Sequence, residues 1–314
     1  MIYLWHFTQI ELEDKIWLSG SLLKGDSPSL KYPKSILGHF FQIIRSYRRS
    51  AAKELTLKLK SDQEEVVATT NRKGHFSVLM EKYNQNSLRV FHNSVELELP
   101  TDYPTFFPMN DKSIEVISDL DDTVLHSNTS SVLKRIFNIL FILPQNRKTI
   151  LFTYQLFERF KEMGFRITYL SKSEANLFHL IALFIQYHDL PKGPLLLTQH
   201  LKWRQLAKPK KDKDHKMDRL RRMLSGMPTK KFILLGDDTQ RDMEVYAAIV
   251  KEFENRIEKI FIRQTGFSRS AKQEELWNEL QKTNVDALYF DDSHEADLEL
   301  KKINPSFDET VNGH

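Results

Sequence analysis

No cysteine occurs in the chain, which excludes disulfides, thiolate metal sites and cysteine nucleophiles while leaving the redox compartment undecided. Long apolar runs are lacking too. The longest, Ile136 to Leu143, is interrupted by Asn138 and falls far short of the about 20 residues that span a bilayer. Met1 to Phe7 carries no basic leader and runs into Glu11, Glu13, Asp14 and Lys15, so a secretion signal is not expected. The default expectation is a cytoplasmic protein, soluble or peripheral at a membrane. Nor does one sign of charge dominate: 46 Lys and Arg against 42 Asp and Glu leave a net charge of +4, which names no partner. Locally, Lys208, Lys210, Lys211, Lys213 and Lys216 form a basic run suited to phosphate or an anionic membrane, and Asp291 to Glu309 is acid-rich.

What is present suffices for a folded protein. Hydrophobic residues make up 40% of the 314 and aromatics 11%, and the length favours two domains. From Ile16 to Leu99, alternating segments such as LTLKLK at 55–60 and VELEL at 95–99 predict half-buried antiparallel strands. Residues 1–110 are therefore expected to form a small β-rich, sandwich-like domain. Ser35 to Ser50 interrupts it with a basic amphipathic helix, its apolar stripe formed by Ile36, Leu37, Phe40, Phe41, Ile44 and Tyr47 beside Arg45, Arg48 and Arg49. Packing of that stripe on the N-terminal sheet competes with membrane contact as its expected use. After Pro100, Pro104 and Pro108 strands alternate with helices, which predicts an α/β domain over 111–314, a doubly wound parallel sheet.

The first strand of that region, Ile114 to Asp119, ends in Ser118-Asp119-Leu120-Asp121-Asp122-Thr123. Carboxylates therefore emerge at the carboxyl end of a parallel strand, where open α/β sheets bind ligands. Asp119 is suited to attack phosphorus, and Asp121 to protonate the leaving alkoxide and later deprotonate water. Two anions beside a phosphate call for a cation, and hard carboxylate oxygens suit Mg²⁺. Alone, this motif fits a helix-capping turn equally well. Three further elements follow in order: Ser171 at the end of a strand from Arg166, Lys216 at the start of a helix over 217–225, and Asp237 after strand Lys231 to Leu235 and Gly236, with Asp242 just beyond.

Together these residues resemble the four signature motifs of the haloacid-dehalogenase superfamily. ISDLDDTV at 117–124, YLSKS at 169–173, GPLLL at 193–197, HK at 215–216 and FILLGDDTQRDMEVYA at 232–247 are similar to the catalytic domain of App1-type phosphatidate phosphatases. Upstream, GSLLKG at 20–25 and TTNRKGHF at 69–76 resemble the β-rich region preceding that domain in bacterial members. The resemblance implies Asp119 and Asp121 as catalytic residues, Ser171, Lys216 and Thr123 as phosphate-binding, and Asp119, Asp121, Asp237 and Asp242 as Mg²⁺ ligands. It also implies phosphatidate hydrolysed to diacylglycerol at an anionic membrane surface. Where the family follows its Ser with Asn-Ser-Pro-Trp, this chain has Lys172, Ser173, Glu174 and Ala175, and its GDSG is here Gly236-Asp237-Asp238-Thr239. Phosphatases of nucleic-acid ends or of small phosphomonoesters, and a non-catalytic lipid-binding module, stand as alternatives. Only Trp203 interleaves the lysine run, too few aromatics for single-strand stacking, so nucleic acid is not expected.

Overall fold

The computed structural model describes residues 1–25, 33–125, 132–202, 215–239, 241–283 and 285–291, together with 294, 296, 298 and 299. The lysines at 208–213, His126 and most of the acid-rich end lie outside the described residues. None of the described helices is long and apolar enough to cross a membrane.

The chain opens with a strand that no period-two pattern announces. β1 (Ile2–Glu11) pairs antiparallel with β2 (Lys15–Lys24), and both are buried along nearly their whole length. Alternation fails there because both faces are covered, as continuous burial requires. After α1 (Ile36–Arg48) come β3 (Ser50–Ala51), β4 (Thr56–Lys60), β5 (Glu65–Thr69), β6 (His75–Glu81), β7 (Arg89–His92), β8 (Val95–Leu97) and β9 (Phe106–Phe107). One sheet runs β3-β2-β1-β9 with β6 also on β2, and a second runs β5-β4-β7-β8. Leu4, Phe7, Leu18 and Leu22 of the first meet Leu57, Leu59, Val90 and Leu97 of the second in one apolar cluster. On the opposite face of the first sheet, Tyr3, Trp5 and Leu23 join one core cluster of the chain's second half, and Ile10 and Trp17 join the other.

The amphipathic helix exists, and its expected apolar stripe is covered in part: Tyr47 is buried, and Phe40 and Ile44 pack half-buried against the core. Ser35 caps α1 by accepting from the Gly38 N–H at 3.1 Å. His39, Ile43, Ser46 and Tyr47 are buried, whereas Ile36, Leu37 (70% exposed) and Phe41 (65%) face outward. The helix packs on α2 (Val132–Phe141) and on the turn Ala175–Leu177. Polar contacts fix the register: His39 Nε2 lies 2.9 Å from the Ile139 carbonyl, Asn176 donates to the Ser46 carbonyl at 3.2 Å, and Tyr47 donates to Glu174 at 3.3 Å. Such partners draw His39 and Ser46 inward beside Ile43 and Tyr47, and the Leu37–Phe41 edge stays uncovered.

The second half is built on a parallel sheet of β10 (Ile114–Ser118), β11 (Arg166–Glu174), β12 (Leu195–Thr198), β13 (Lys231–Asp237), β14 (Ile257–Arg263) and β15 (Ala287–Phe290), in the order β12-β11-β10-β13-β14-β15. Neighbouring residues of a strand point to opposite faces. Val116, Ile233 and Leu235 pack with α3 (Leu151–Glu162) and α4 (Phe178–Tyr187); Ile117, Phe232 and Leu234 pack with α5 (His215–Gly226), α6 (Asp242–Glu252) and α7 (Ala271–Gln281). The fold is mixed α/β.

Arg166, at the start of β11, ties the halves together. It donates to Glu115 at 2.9 Å, to the Glu11 carbonyl at 2.9 Å and to the Phe107 carbonyl at 3.0 Å. Burial raises the Glu115 carboxyl above its ordinary pKa, and Arg166 opposes that rise. A second tie is Tyr103, whose hydroxyl donates to the Gly193 carbonyl at 2.9 Å and accepts from the Gly193 N–H at 3.1 Å. A Cβ on Gly193 would stand 1.7 Å from the Ile167 carbonyl oxygen, which no side-chain movement can relieve. Gly193→Ala is expected to cost about 3 kcal/mol, the upper end for overpacking, read as a fall in the urea midpoint; an unchanged midpoint would contradict this packing.

Candidate active site at the carboxyl edge of the parallel sheet

Strand order reverses between β10 and β13, the place where an open α/β sheet leaves a crevice beyond its strand ends. Asp119 follows β10 directly, its N–H bonded to the Leu235 carbonyl at 2.8 Å. Asp237 closes the neighbouring β13. Asp242 begins α6 and reaches back, accepting from the Asp237 N–H at 3.3 Å. Gly236 makes this approach possible, since a Cβ there would meet the Asp242 carboxylate at 2.6 Å and its Cβ at 2.8 Å. One oxygen each from Asp119, Asp237 and Asp242 can lie within 4.8 Å of the other two, and all three residues are buried.

Lys216, second residue of α5 and only 3% exposed, sends its ammonium into this group. Its Nζ is 3.0 Å from Asp119 Oδ1 and 2.5 Å from Asp242 Oδ1. Burial works to lower the Lys216 pKa, yet Asp119, Asp242 and Asp237 together hold it above its ordinary value. Asp119 is pushed up to about 7, chiefly by burial, with Lys216 opposing the rise and Asp242 and Asp121 adding to it. Asp237 is raised well above the carboxylate range by burial, Asp242 and Asp119. Three carboxylates around one ammonium leave a surplus of buried negative charge, and their oxygens are hard donors. Such a set fits a divalent cation.

Asp121 stands apart from that group. Its Oδ2 accepts from Ser171 at 3.2 Å and from Ser173 at 2.6 Å, and the Ser173 N–H donates to Ser171 Oγ at 2.9 Å. Both serines lie within β11, two residues apart and therefore on one side of the strand. Ser171 was expected at the strand's end; the strand continues to Glu174. The role of Ser173 escapes a search for single motif residues, although its spacing from Ser171 carries the signal. The segment that carries Asp121 runs on into a tight turn: Asp122 adopts φ 57°, its N–H bonds to the Leu125 carbonyl at 2.8 Å, and Arg263 donates to its carbonyl at 2.9 Å. Thr123 is fully buried beneath this turn, its carbonyl accepting from Thr153 at 2.7 Å and its hydroxyl without a hydrogen-bond partner among the described residues.

Of the acidic pair after Gly236, one member serves the site. Asp237 receives the backbone N–H of Thr239 at 2.5 Å and the Thr239 hydroxyl. Asp238 points elsewhere, taking the Thr265 N–H and hydroxyl on one oxygen and the Tyr289 hydroxyl, at 2.7 Å, on the other. Lys172 adds positive charge beside the group, its pKa lowered by burial and by Lys216 and partly restored by Asp242, Asp119 and Asp237.

Residues 114–264 match the sequence family described as phosphatidate phosphatase APP1, catalytic domain. Phosphatidate phosphatase APP1 of Saccharomyces cerevisiae is 30% identical over 183 residues, covering 55% of this chain and 31% of that protein. An uncharacterized protein of Schizosaccharomyces pombe is 23% identical over 219 residues, covering 65% and 36% respectively. The chain thus spans about a third of the length of these relatives. Among solved structures, a Pnkp1/Rnl/Hen1 complex is similar at a TM-score of 0.35 and 14% identity, over 57% of this chain and 51% of that one, too loosely to carry an argument.

A cation must displace protons from carboxyls held this high. Its affinity should therefore fall as pH drops below about 7, and calorimetric titration with magnesium or manganese near pH 6.5 should register proton release. Without a cation the sign for stability is the opposite of the usual carboxylate. Because the folded-state pKa of Asp119 lies above its unfolded value, stability through this group is lost as pH rises from about 4 towards 7. Asp237→Asn should weaken cation binding roughly tenfold or more, whereas Asp238→Asn should lower the melting temperature and leave affinity unchanged. The reverse pattern would assign the ligand role to Asp238.

Proposed function

We propose, on the premise that residues 114–264 are a catalytic domain of the APP1 phosphatidate phosphatase type, that this chain is a magnesium-dependent phosphoric monoester hydrolase converting phosphatidate to diacylglycerol and phosphate. The observation that carries the reading is the buried group of Asp119, Asp237 and Asp242 around Lys216 at the strand ends. Magnesium bound there would neutralise charge on the transferring phosphoryl group and hold it against Asp119. A HAD-like doubly wound sheet behind a sandwich-like N-terminal domain, divided at residues 110 and 111, is the architecture we infer alongside.

In this reading the ionised Asp119 carboxylate attacks phosphorus. An aspartyl phosphate forms as the bond to the glycerol oxygen breaks, and Asp121 delivers its proton to that leaving oxygen. Water then attacks the aspartyl phosphate, Asp121 takes its proton, and Asp119 is released with inorganic phosphate. Ser171 and Ser173 orient the Asp121 carboxyl through their hydroxyls, and the Lys216 ammonium steadies the negative charge on Asp119 and on the phosphoryl oxygens. Thr123 supports the turn that carries Asp121 from beneath. Its hydroxyl is the candidate for a phosphate contact only if the turn opens.

Membrane contact belongs to the same proposal. Ile36, Leu37 and Phe41 on α1 are exposed beside the exposed Arg45 and Arg48, the composition of an interfacial helix meeting anionic lipid. Arg49 is a poorer candidate for headgroups, because its guanidinium lies over Tyr3 and Trp5 at 5.3 and 5.0 Å.

Phosphate release from phosphatidate, set against a panel of nucleotides and sugar phosphates, tests the substrate. Asp119→Asn should abolish turnover, and Asp121→Asn should lower kcat by about 10²–10⁴-fold, each with an unaltered circular dichroism spectrum; a folded Asp119→Asn protein of full activity ends the nucleophile assignment. Beryllium fluoride should be trapped only with both magnesium and Asp119. The double change Arg45→Gln, Arg48→Gln should reduce sedimentation with anionic vesicles roughly thirtyfold, and equal binding would remove α1 as the docking element.

A further inference from the structure

A second lysine stands at the same edge of the sheet, and no step of the hydrolysis uses it. Lys172 lies in β11 between Ser171 and Ser173, the two residues whose hydroxyls donate to Asp121. Its backbone is held in place: the Thr198 hydroxyl, at the end of β12, is 3.1 Å from the Lys172 carbonyl oxygen and 3.1 Å from that of Ser173. The direction of the side chain follows from its neighbours. Alternate residues of a strand share a face, so Lys172 stands on the side of β11 that carries Leu170, away from the two serines. Leu170 and Leu220 of α5 belong to one buried cluster, and α5 packs on β11. Residues four apart share a face of a helix, which puts Lys216 one turn before Leu220 on the face that meets the strand. Lys172 is one strand repeat past its leucine and Lys216 one helical turn before its own. The two side chains therefore rise side by side from the core to the carboxyl edge.

Electrostatics agree with this placement. Lys172 is half-buried, and Asp119, Asp237 and Asp242, the carboxylates that act on Lys216, act on Lys172 as well. Lys216 itself acts against the Lys172 charge. Two ammoniums held near each other in a half-buried place repel, and the repulsion is offset only where enough negative charge is gathered. The three carboxylates provide that charge while no cation is bound, but a divalent cation would take up their surplus. A phosphoryl dianion then brings two further negative charges to the crevice. Lys216 is already committed to Asp119 at 3.0 Å and to Asp242, so it answers the newcomer only in part.

We propose that Lys172 is a substrate-binding residue whose ammonium meets an oxygen of the phosphoryl dianion from the α5 side of β11, while Ser171 and Ser173 hold Asp121 from the other side. The inference deepens the phosphatase reading and rests on it for the phosphoryl ligand, whatever alcohol that group esterifies.

Calorimetry of the full chain reads magnesium and phosphate separately. In saturating magnesium, Lys172→Met should bind inorganic phosphate about tenfold or more weakly than the parent. Without phosphate, the same variant should bind magnesium about threefold more tightly, because a repelling charge has gone. A residue needed only for packing would weaken both, with a lower melting temperature. Lys172→Arg keeps the charge and should recover most of the phosphate affinity, and Lys172→Gln decides the matter if the methionine variant misfolds. With soluble dihexanoyl phosphatidate the loss should fall on KM more than on kcat. Phosphate binding by the neutral variants equal to the parent's overturns the inference, as does a parallel fall in magnesium and phosphate affinity, or a parent that binds no phosphate in magnesium. A parent that hydrolyses no phosphatidate, yet loses phosphate affinity in Lys172→Met, sinks the lipid substrate and keeps the role of Lys172. A parent that hydrolyses phosphatidate, with phosphate affinity untouched in Lys172→Met, keeps the catalytic reading and removes that role.

Discussion

Lys216 is buried among the described residues, and the arrangement of the strand ends follows from what surrounds it. An ammonium buried to this degree is tolerable only with opposite charge in contact, and Asp119 and Asp242 supply it from two different elements. Once they do, the group holds more negative charge than a dry crevice can keep ionised, which is why burial drives Asp119 and Asp237 towards their protonated forms. A divalent cation among these oxygens would offset that excess. The site is thus tuned as a whole, and removing any one charge changes the state of the others.

Much of this chemistry is legible in the sequence because each side chain sits at a junction that local patterning marks. Asp119 and Asp237 end apolar strands of five and seven residues, and Lys216 and Asp242 lie at the starts of helices. What the pattern cannot resolve is direction. Asp237 and Asp238 are adjacent and identical in type, yet a one-residue step on a strand turns one towards Asp242 and the other towards Tyr289. Asp121 accepts from Ser171 and Ser173 of β11, fifty residues on, a contact that no local spacing shows.

The N-terminal half is less legible for a related reason. Alternation reveals strands with one wet face, and β4 displays it fully. β1 is covered on both sides, so His6, Thr8 and Gln9 are buried along with its apolar residues and no wet face marks it. The stripe on α1 is read only in part for want of its partner: the periodicity identifies the helix and Phe40, Ile44 and Tyr47 pack on the core, but His39 also turns inward to the Ile139 carbonyl, and the Asn176 amide donates to the Ser46 carbonyl. Long-range partners decide such cases, and a window of sequence does not contain them.

Arg166 carries a last implication, for how such a chain can be divided. The stretch that matches the catalytic family begins at residue 114, yet two of the carbonyls that satisfy this guanidinium belong to Glu11 and Phe107. Cut away from the residues before it, the parallel sheet would keep the Glu115 pair but present two bare donors and the apolar side chains that Tyr3, Trp5, Ile10 and Trp17 now cover. The unit of inheritance is then wider than the unit of chemistry. A relative that carries the same catalytic stretch behind a different leading segment must bring its own carbonyls and its own apolar cover to that edge.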